Sequence, residues 1–364
     1  MKKTTLIFCL LFVSWATMAQ SSKENYQEAS KLVKQAIKLM DGGKPKESIP
    51  LLEKAAKLVP ESPTPAYEMA YAYLVQKEYP KTIKILKKLV KHEKANDRFF
   101  QLLGNAYDYN KEPEKAIKAY KAGLKRFPNS GKIYTEWGIL EYSRKNYDKA
   151  VNRWEAGIKA NPYHASNYYW LTKIFRLTDE RIWVLLYGEM FMNLTSNNRR
   201  FEEVAKWLYE AFQQSYTAKD STSGSYNLTK KITIDASKLK NPDISKIIPF
   251  ELTYSMVYSL SAIHFSKKID LDAIYKQKKV FLENWFGGKG KAKAYPNKLL
   301  DFQKNLLDNN QLETYTYWLL GYGSLEEARA WAGKNKGKFE KLVEWLDKNY
   351  LKLKPTDKYS RKDY

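Results

Sequence analysis

Cysteine is almost absent: Cys9 is the only one in 364 residues. One thiol cannot build a disulfide framework or a thiolate metal site. Histidine is nearly as scarce. His92, His164 and His264 stand far apart, so neither a histidine metal cluster nor a Ser-His-Asp pattern is expected. No cofactor and no metal are implied. Glycine and proline are sparse, at 16 and 13, which disfavours low-complexity structure and favours helix. The glycine cluster Gly287-Gly288-Lys289-Gly290 lacks the spacing of a phosphate loop and reads as a basic turn. Acids are in deficit, 40 against 63 bases.

The first nineteen residues differ in kind from the rest. Lys2 and Lys3 precede an apolar stretch from Leu6 to Val13, and Ala16, Thr17, Met18 and Ala19 follow. This is the layout of a secretory signal peptide cut after Ala19 or after Ala16. The apolar stretch is too short for a membrane span, so no transmembrane span is expected after cleavage. Cys9 would leave with the leader. Without Lys2 and Lys3 the net charge falls from +23 to +21. Residues 20–163 hold 28 bases and 17 acids, and residues 164–364 hold 33 and 23, an excess of 11 and 10. The excess is spread evenly and is mostly lysine. It reads as solvated helix faces rather than a nucleic-acid surface.

What is present is a period. Gly104 and Gly138, Ala116 and Ala150, Tyr120 and Trp154, Gly123 and Gly157, and Pro128 and Pro162 are each 34 apart. Tracing the period back gives Ser48, Thr82, Ala116 and Ala150 in one column and Leu52, Leu86, Tyr120 and Trp154 in another. Ala36, Ala70, Gly104 and Gly138 form a third, and Leu39, Tyr73, Tyr107 and Glu141 a fourth. A fixed period of this length is the mark of stacked helical hairpins. Small residues let the two helices of a hairpin approach. Large ones fill the space to the next hairpin, and proline stops the second helix.

These residues resemble the tetratricopeptide repeat. Phe100, Leu103, Gly104, Tyr107, Ala116, Tyr120 and Pro128 follow its pattern, as do Tyr134, Trp137, Gly138, Ala150, Trp154 and Pro162. Glu141 replaces the expected tyrosine and Lys94 the expected proline. The resemblance implies an all-α fold, a helical-hairpin solenoid. The expected organisation is a signal peptide at 1–19, then an array over 23–195 of about four repeats plus a degenerate fifth hairpin. A mostly helical C-terminal domain over 199–352 and a loose charged tail over 353–364 follow. Within the C-terminal domain, 227–235 alternates and is the only strand candidate. The stretch 217–225 reads as a loop. Ser324 and Glu327 are spaced as a capping box.

The resemblance also implies a binding groove lined by the first helix of each hairpin. Its positions here are Tyr67, Tyr71, Gln101, Asn105, Tyr109, Thr135, Ile139, Tyr142, Tyr169, Lys173 and Arg176. Some family members hold acidic tails with a Lys-Asn-Asn-Lys-Arg clamp. The matching places hold Gln101, Asn105, Glu136, Ser166 and Trp170, so that clamp is absent. Tyrosine offers large amphipathic area at low entropic cost. The expected function is therefore a periplasmic scaffold that binds a protein or peptide segment, as an accessory of an envelope assembly, secretion or uptake complex. No catalytic residue stands out. Two other readings remain at this stage. One is an envelope enzyme with its site in the C-terminal domain, near Asp270, Asp272 or Glu283. The other is charge-driven adsorption to anionic glycans. Asp220-Ser221-Thr222 matches a short O-glycosylation motif, with Ser221 as the candidate acceptor.

Overall fold

The computed structural model describes residues 2–195, 197–218, 224–230, 248–261, 269–288, 291–354 and 356–364, with backbone alone for 2–21. Ser221 and residues 231–235 of the strand candidate lie outside the described residues. The helices of the first part are α1 (Lys2–Asp41), α2 (Pro45–Leu58), α3 (Thr64–Val75), α4 (Tyr79–Leu89), α5 (Asp97–Tyr109), α6 (Pro113–Arg126) and α7 (Gly131–Ser143). Then come α8 (Tyr147–Ala160), α9 (Ala165–Phe175), α10 (Arg181–Leu194) and α11 (Asn198–Ser215). A hairpin of β1 (Tyr216–Ala218) and β2 (Gly224–Tyr226) follows. The chain ends in α12 (Phe250–Leu260), α13 (Leu271–Gly287), α14 (Lys291–Ala294), α15 (Lys298–Asp308), α16 (Leu312–Leu320), α17 (Leu325–Lys334) and α18 (Lys338–Asn349). Among the described residues no helix is long and apolar enough to cross a membrane. By contacts the chain divides into two compact units, Met1–Leu140 and Glu141–Tyr364.

In the first unit each helix from α1 to α6 packs on the next, and first helices also touch, α1 with α3 and α3 with α5. The small positions do what their size dictates. A Cβ added at Gly104 would lie 2.1 Å from the Tyr120 ring. That ring is buried, stacks on Trp137 at 6.5 Å, and donates its hydroxyl to Asn105 at 2.7 Å. At Gly123 an added Cβ would meet Phe100 and Ile133, both at 2.7 Å. Any larger residue would force the hairpins apart.

The turn inside each hairpin also repeats. Gly43, Lys77, Lys111 and Lys145 have φ of 76°, 62°, 63° and 61°, and they are 34 apart. The next N–H reaches back to close the first helix: Lys44 to the Leu39 carbonyl, Glu78 to Tyr73, Glu112 to Tyr107 and Asn146 to Glu141, at 2.8–2.9 Å. This is a Schellman closure with a left-handed residue, which glycine fits and lysine tolerates at a cost. Lys77→Gly and Lys111→Gly are each expected to stabilise the chain by about 0.5–1 kcal/mol. Urea midpoints measure this, and a lower midpoint for both variants would contradict the assignment of strain.

In the second unit α9 and α10 form a hairpin and α11 packs on α10. At Gly188 an added Cβ would lie 2.7 Å from Leu208, so glycine lets α11 sit close. The later helices pack around α13 and α16. Their core holds a buried ion pair. Lys278 donates to Glu189 at 3.0 Å, and Gln303 and Tyr315 satisfy the other carboxylate oxygen at 2.7 and 3.0 Å. A buried charge persists only with such full pairing.

Four expectations need correction. Residues 227–230 are not strand; the strands lie earlier, where Tyr216 pairs with Tyr226 and their rings meet at 5.3 Å. Part of the 217–225 stretch is therefore sheet rather than loop. Leu228 is buried, and its carbonyl accepts from the Ile182 N–H at the start of α10. The capping box is not formed either. Ser324 makes no side-chain cap bond, and Glu327 accepts instead from the Leu271 N–H and the Tyr209 hydroxyl. Finally, the charged tail is not loose. Leu353, Tyr359 and Ser360 are buried, and Tyr364 stacks on Phe250 at 4.1 Å.

Candidate partner-binding faces

In the first unit the sequence-predicted groove positions separate into buried and open ones. They recur every three or four residues on α3 and α5, which puts them on one helix side. Tyr67 is buried: its ring stacks on Phe99 at 5.3 Å and carries the Arg98 guanidinium at 4.9 Å. Thr135 is buried, with its hydroxyl donating to the Gly131 carbonyl. Ile139 is half-buried. Gln101 donates to Glu136 at 3.2 Å, and Asn105 accepts from Tyr120. Tyr71 and Tyr109 stay open, 41% and 48% exposed, as does Val75 at 47%. Val75 lies 34 before Tyr109, on the same register. Tyr79 comes within 5.8 Å of Tyr109. Burial, then the nearby Glu136 and Asp108 charges, raise the Tyr109 hydroxyl above its ordinary pKa. It therefore remains a neutral hydrogen-bond donor at physiological pH.

The second unit holds Tyr142, Tyr169, Lys173 and Arg176. Tyr142 is half-buried against Tyr147 and Trp170, at 5.5 and 5.9 Å. The Lys173 ammonium lies over Trp170 at 4.9 Å. Tyr169 is buried, donates to Glu203 at 2.8 Å, and carries Arg200 over its ring at 4.4 Å. Burial and then the Glu203 hydrogen bond push its pKa up to about 12. Arg176 lies over Trp207 at 4.4 Å and pairs with Glu210 at 3.1 Å. Of these, Tyr169 borders a cleft of about 660 Å³ whose lining also includes Arg200, Glu203, Lys206, Trp207 and Glu210.

Sequence reasoning missed the α11 side of this cleft. Yet Arg200, Glu203, Trp207 and Glu210 lie 34 residues after Ser166, Tyr169, Lys173 and Arg176. Two of the contacts, Tyr169 to Glu203 and Arg176 to Glu210, join residues in that same relation. Following the period past residue 195 would have found them. One arrangement also recurs: a tyrosine ring under the arginine 31 residues later, Tyr67 with Arg98 and Tyr169 with Arg200.

The three acids named for an enzyme reading have different surroundings. Asp270 caps α13 by accepting from the Ala273 N–H, Asp272 pairs with Lys276 at 2.6 Å, and Glu283 is exposed. Among the described residues no group of three or more His, Cys, Asp or Glu is placed to hold a metal ion.

Residues 12–168 match a family model described as the tetratricopeptide repeat. No curated protein matches the chain significantly. Solved structures do. PilF of Pseudomonas aeruginosa is 15% identical, over 52% of this chain and 86% of that one, with a TM-score of 0.42. A thermophilic TPR protein of Thermus thermophilus is 14% identical, over 50% and 98%, with a TM-score of 0.41. YrrB, described as a TPR protein with an unusual peptide-binding site, is 17% identical, over 50% and 94%, with a TM-score of 0.33.

Proposed function

We propose, from the tetratricopeptide-repeat match over residues 12–168, that this chain is an exported scaffold which captures a protein or peptide segment on its first-helix faces. The reading rests above all on Tyr71, Val75 and Tyr109. These large side chains are left open on α3 and α5, while Gln101 and Asn105 between them are half-buried and engaged by Glu136 and Tyr120. Tyrosine at such a place gives contact area with a polar tip and few rotors to freeze. In the second unit, Tyr169 and Trp207 support the same use. Both rings are held by arginines, so the cleft they border is preorganised. The leader at 1–19 directs the chain to the periplasm or envelope in this reading, and the partner belongs to an envelope assembly, secretion or uptake complex.

Tyr71→Ala with Tyr109→Ala tests it. Both residues are exposed, so helicity should be unchanged. Partner capture should fall at least tenfold if they act as anchors, since such residues typically contribute about 2 kcal/mol or more. Capture measured by pull-down at equal protein concentration decides the matter, and undiminished capture would remove the groove.

A further inference from the structure

Two second helices of the first unit turn an almost unbroken lysine face outward. α4 holds four lysines and no acid. α6 holds four lysines and Arg126 against the single acid Glu114. Their inner sides are occupied by Thr82, Leu86 and Leu89, and by Ala116, Tyr120 and Gly123, all buried. The lysines between them must therefore point away from the core. Lys84, Lys87 and Lys91 are exposed, and Lys118, Lys121 and Lys125 repeat them 34 residues on, also exposed. Among the described residues none of these six has a carboxylate at ion-pair distance. The acids nearby serve elsewhere: Glu78 pairs with Lys81 and Glu112 with Lys115, at the helix starts.

The lattice has two directions. Along α4 and α6 the lysines are three or four residues apart, about 5 Å of rise, and Lys91 follows in the turn just past the end of α4. Across helices the matched pairs are separated by packing distances of about 10 Å or more. Arg126 ties the two repeats by donating to the Val90 and Glu93 carbonyls at 3.4 and 3.2 Å. A single polyanion strand would follow one row or one column and leave the rest facing water. A plane of anionic groups would meet all six at once. The large exposed apolar residues on α3 and α5, Tyr71, Val75 and Tyr109, belong to first helices, not to this face. Contact here would be electrostatic, without insertion.

We propose that the outer face of α4 and α6 is a docking surface for an anionic lipid bilayer. It is distinct from the tyrosine positions, so bilayer contact leaves those free. The test uses the full chain and sedimentation with vesicles of about 30% phosphatidylglycerol in phosphatidylcholine. The comparison is a variant carrying Lys84→Gln, Lys87→Gln, Lys118→Gln and Lys121→Gln. Glutamine keeps helix propensity close to that of lysine, and circular dichroism checks the fold. Residues 1–22 are identical in both proteins, so any contribution from the leader cancels. Each lysine near such a surface is worth about fivefold in binding, so the variant should bind several hundredfold more weakly. Binding by the parent should vanish on neutral phosphatidylcholine and weaken steeply at about 0.5 M salt. Equal binding by parent and variant overturns the proposal. So does retention of the parent on heparin with no binding to anionic vesicles, which would assign the face to a linear polyanion.

Discussion

Cutting the chain after Lys352 is expected to unfold its second compact unit, not to trim a free end. Glu155 on α8 is fully buried. Its carboxylate is held by the Arg361 guanidinium at 2.9 Å and the Tyr187 hydroxyl at 3.2 Å, with the Lys362 ammonium 3.7 Å away. Truncation removes both cations and leaves a buried charge with one neutral donor. Such an orphaned charge costs about 3–5 kcal/mol. The tail also supplies buried Tyr359, whose hydroxyl donates to the Ile158 carbonyl at 3.1 Å, and Tyr364, which covers Phe250. Losing one such aromatic costs about 3 kcal/mol more. The sum rivals the whole stability of an ordinary domain, about 5–15 kcal/mol. Limited proteolysis and near-ultraviolet circular dichroism should show 141–352 without fixed packing.

A milder version isolates the charge. Arg361→Ala should lose about 2–3 kcal/mol, less than the full cost because Lys362 stays and the guanidinium is partly solvated. In a Glu155→Gln background that loss should shrink to about 1 kcal/mol or less, because no buried charge remains to be stranded. An undiminished loss would show that Arg361 acts through packing rather than through Glu155.

Trp154→Ala is the second large effect. The indole is fully buried, lies flat on Trp170 at 5.6 Å and 16°, and meets Tyr142 at 6.2 Å. It fills the same repeat position as Leu52, Leu86 and Tyr120. Deleting it leaves a cavity between helices already held apart by their neighbours, at a cost of about 3–5 kcal/mol. Trp154→Phe should cost roughly half as much, because a ring still fills part of the space. Chemical denaturation followed by helicity measures both. A loss for Trp154→Ala under about 1 kcal/mol would mean the site collapses freely, and the interlocking of layers would be wrong.

The array was legible because its packing uses residues of extreme size. Gly104 opposite Tyr120 leaves no alternative, and proline at 128 and 162 marks where a helix must stop. The hairpin turns were legible only at Gly43. At Lys77, Lys111 and Lys145 the same left-handed backbone is imposed by the helix closure, and lysine carries no turn signal of its own. Their place in the Gly43 column was the available clue. The groove was half legible. The register picked Tyr71 and Tyr109, but periodicity alone does not tell a tyrosine that packs, such as Tyr67, from one left open. Beyond residue 195 the small and large positions lose their pattern while the contacts keep the 34-residue step, so the part α11 plays in the cleft escaped notice.

The tail was misread for a physical reason. Its charged composition suggests solvation, and the partner that makes burial affordable stands some 200 residues earlier. A trace of it is visible. The column that reads Lys87 and Lys121 changes sign at Glu155, where an outward lysine gives way to an inward acid. Likewise, Ser324 and Glu327 have capping spacing, but Glu327 is drawn off by the Leu271 N–H. Local patterns fail where a distant donor outcompetes the near one.

The most direct test of the binding reading is site-specific photocrosslinking in cells of the source organism. A benzophenone side chain would replace Tyr71, Tyr109 or, as a control on the outer side of α6, the exposed Ala122. The account predicts one and the same protein adduct from positions 71 and 109 and none from 122. Adducts that are identical at all three positions, or absent at 71 and 109, would contradict it.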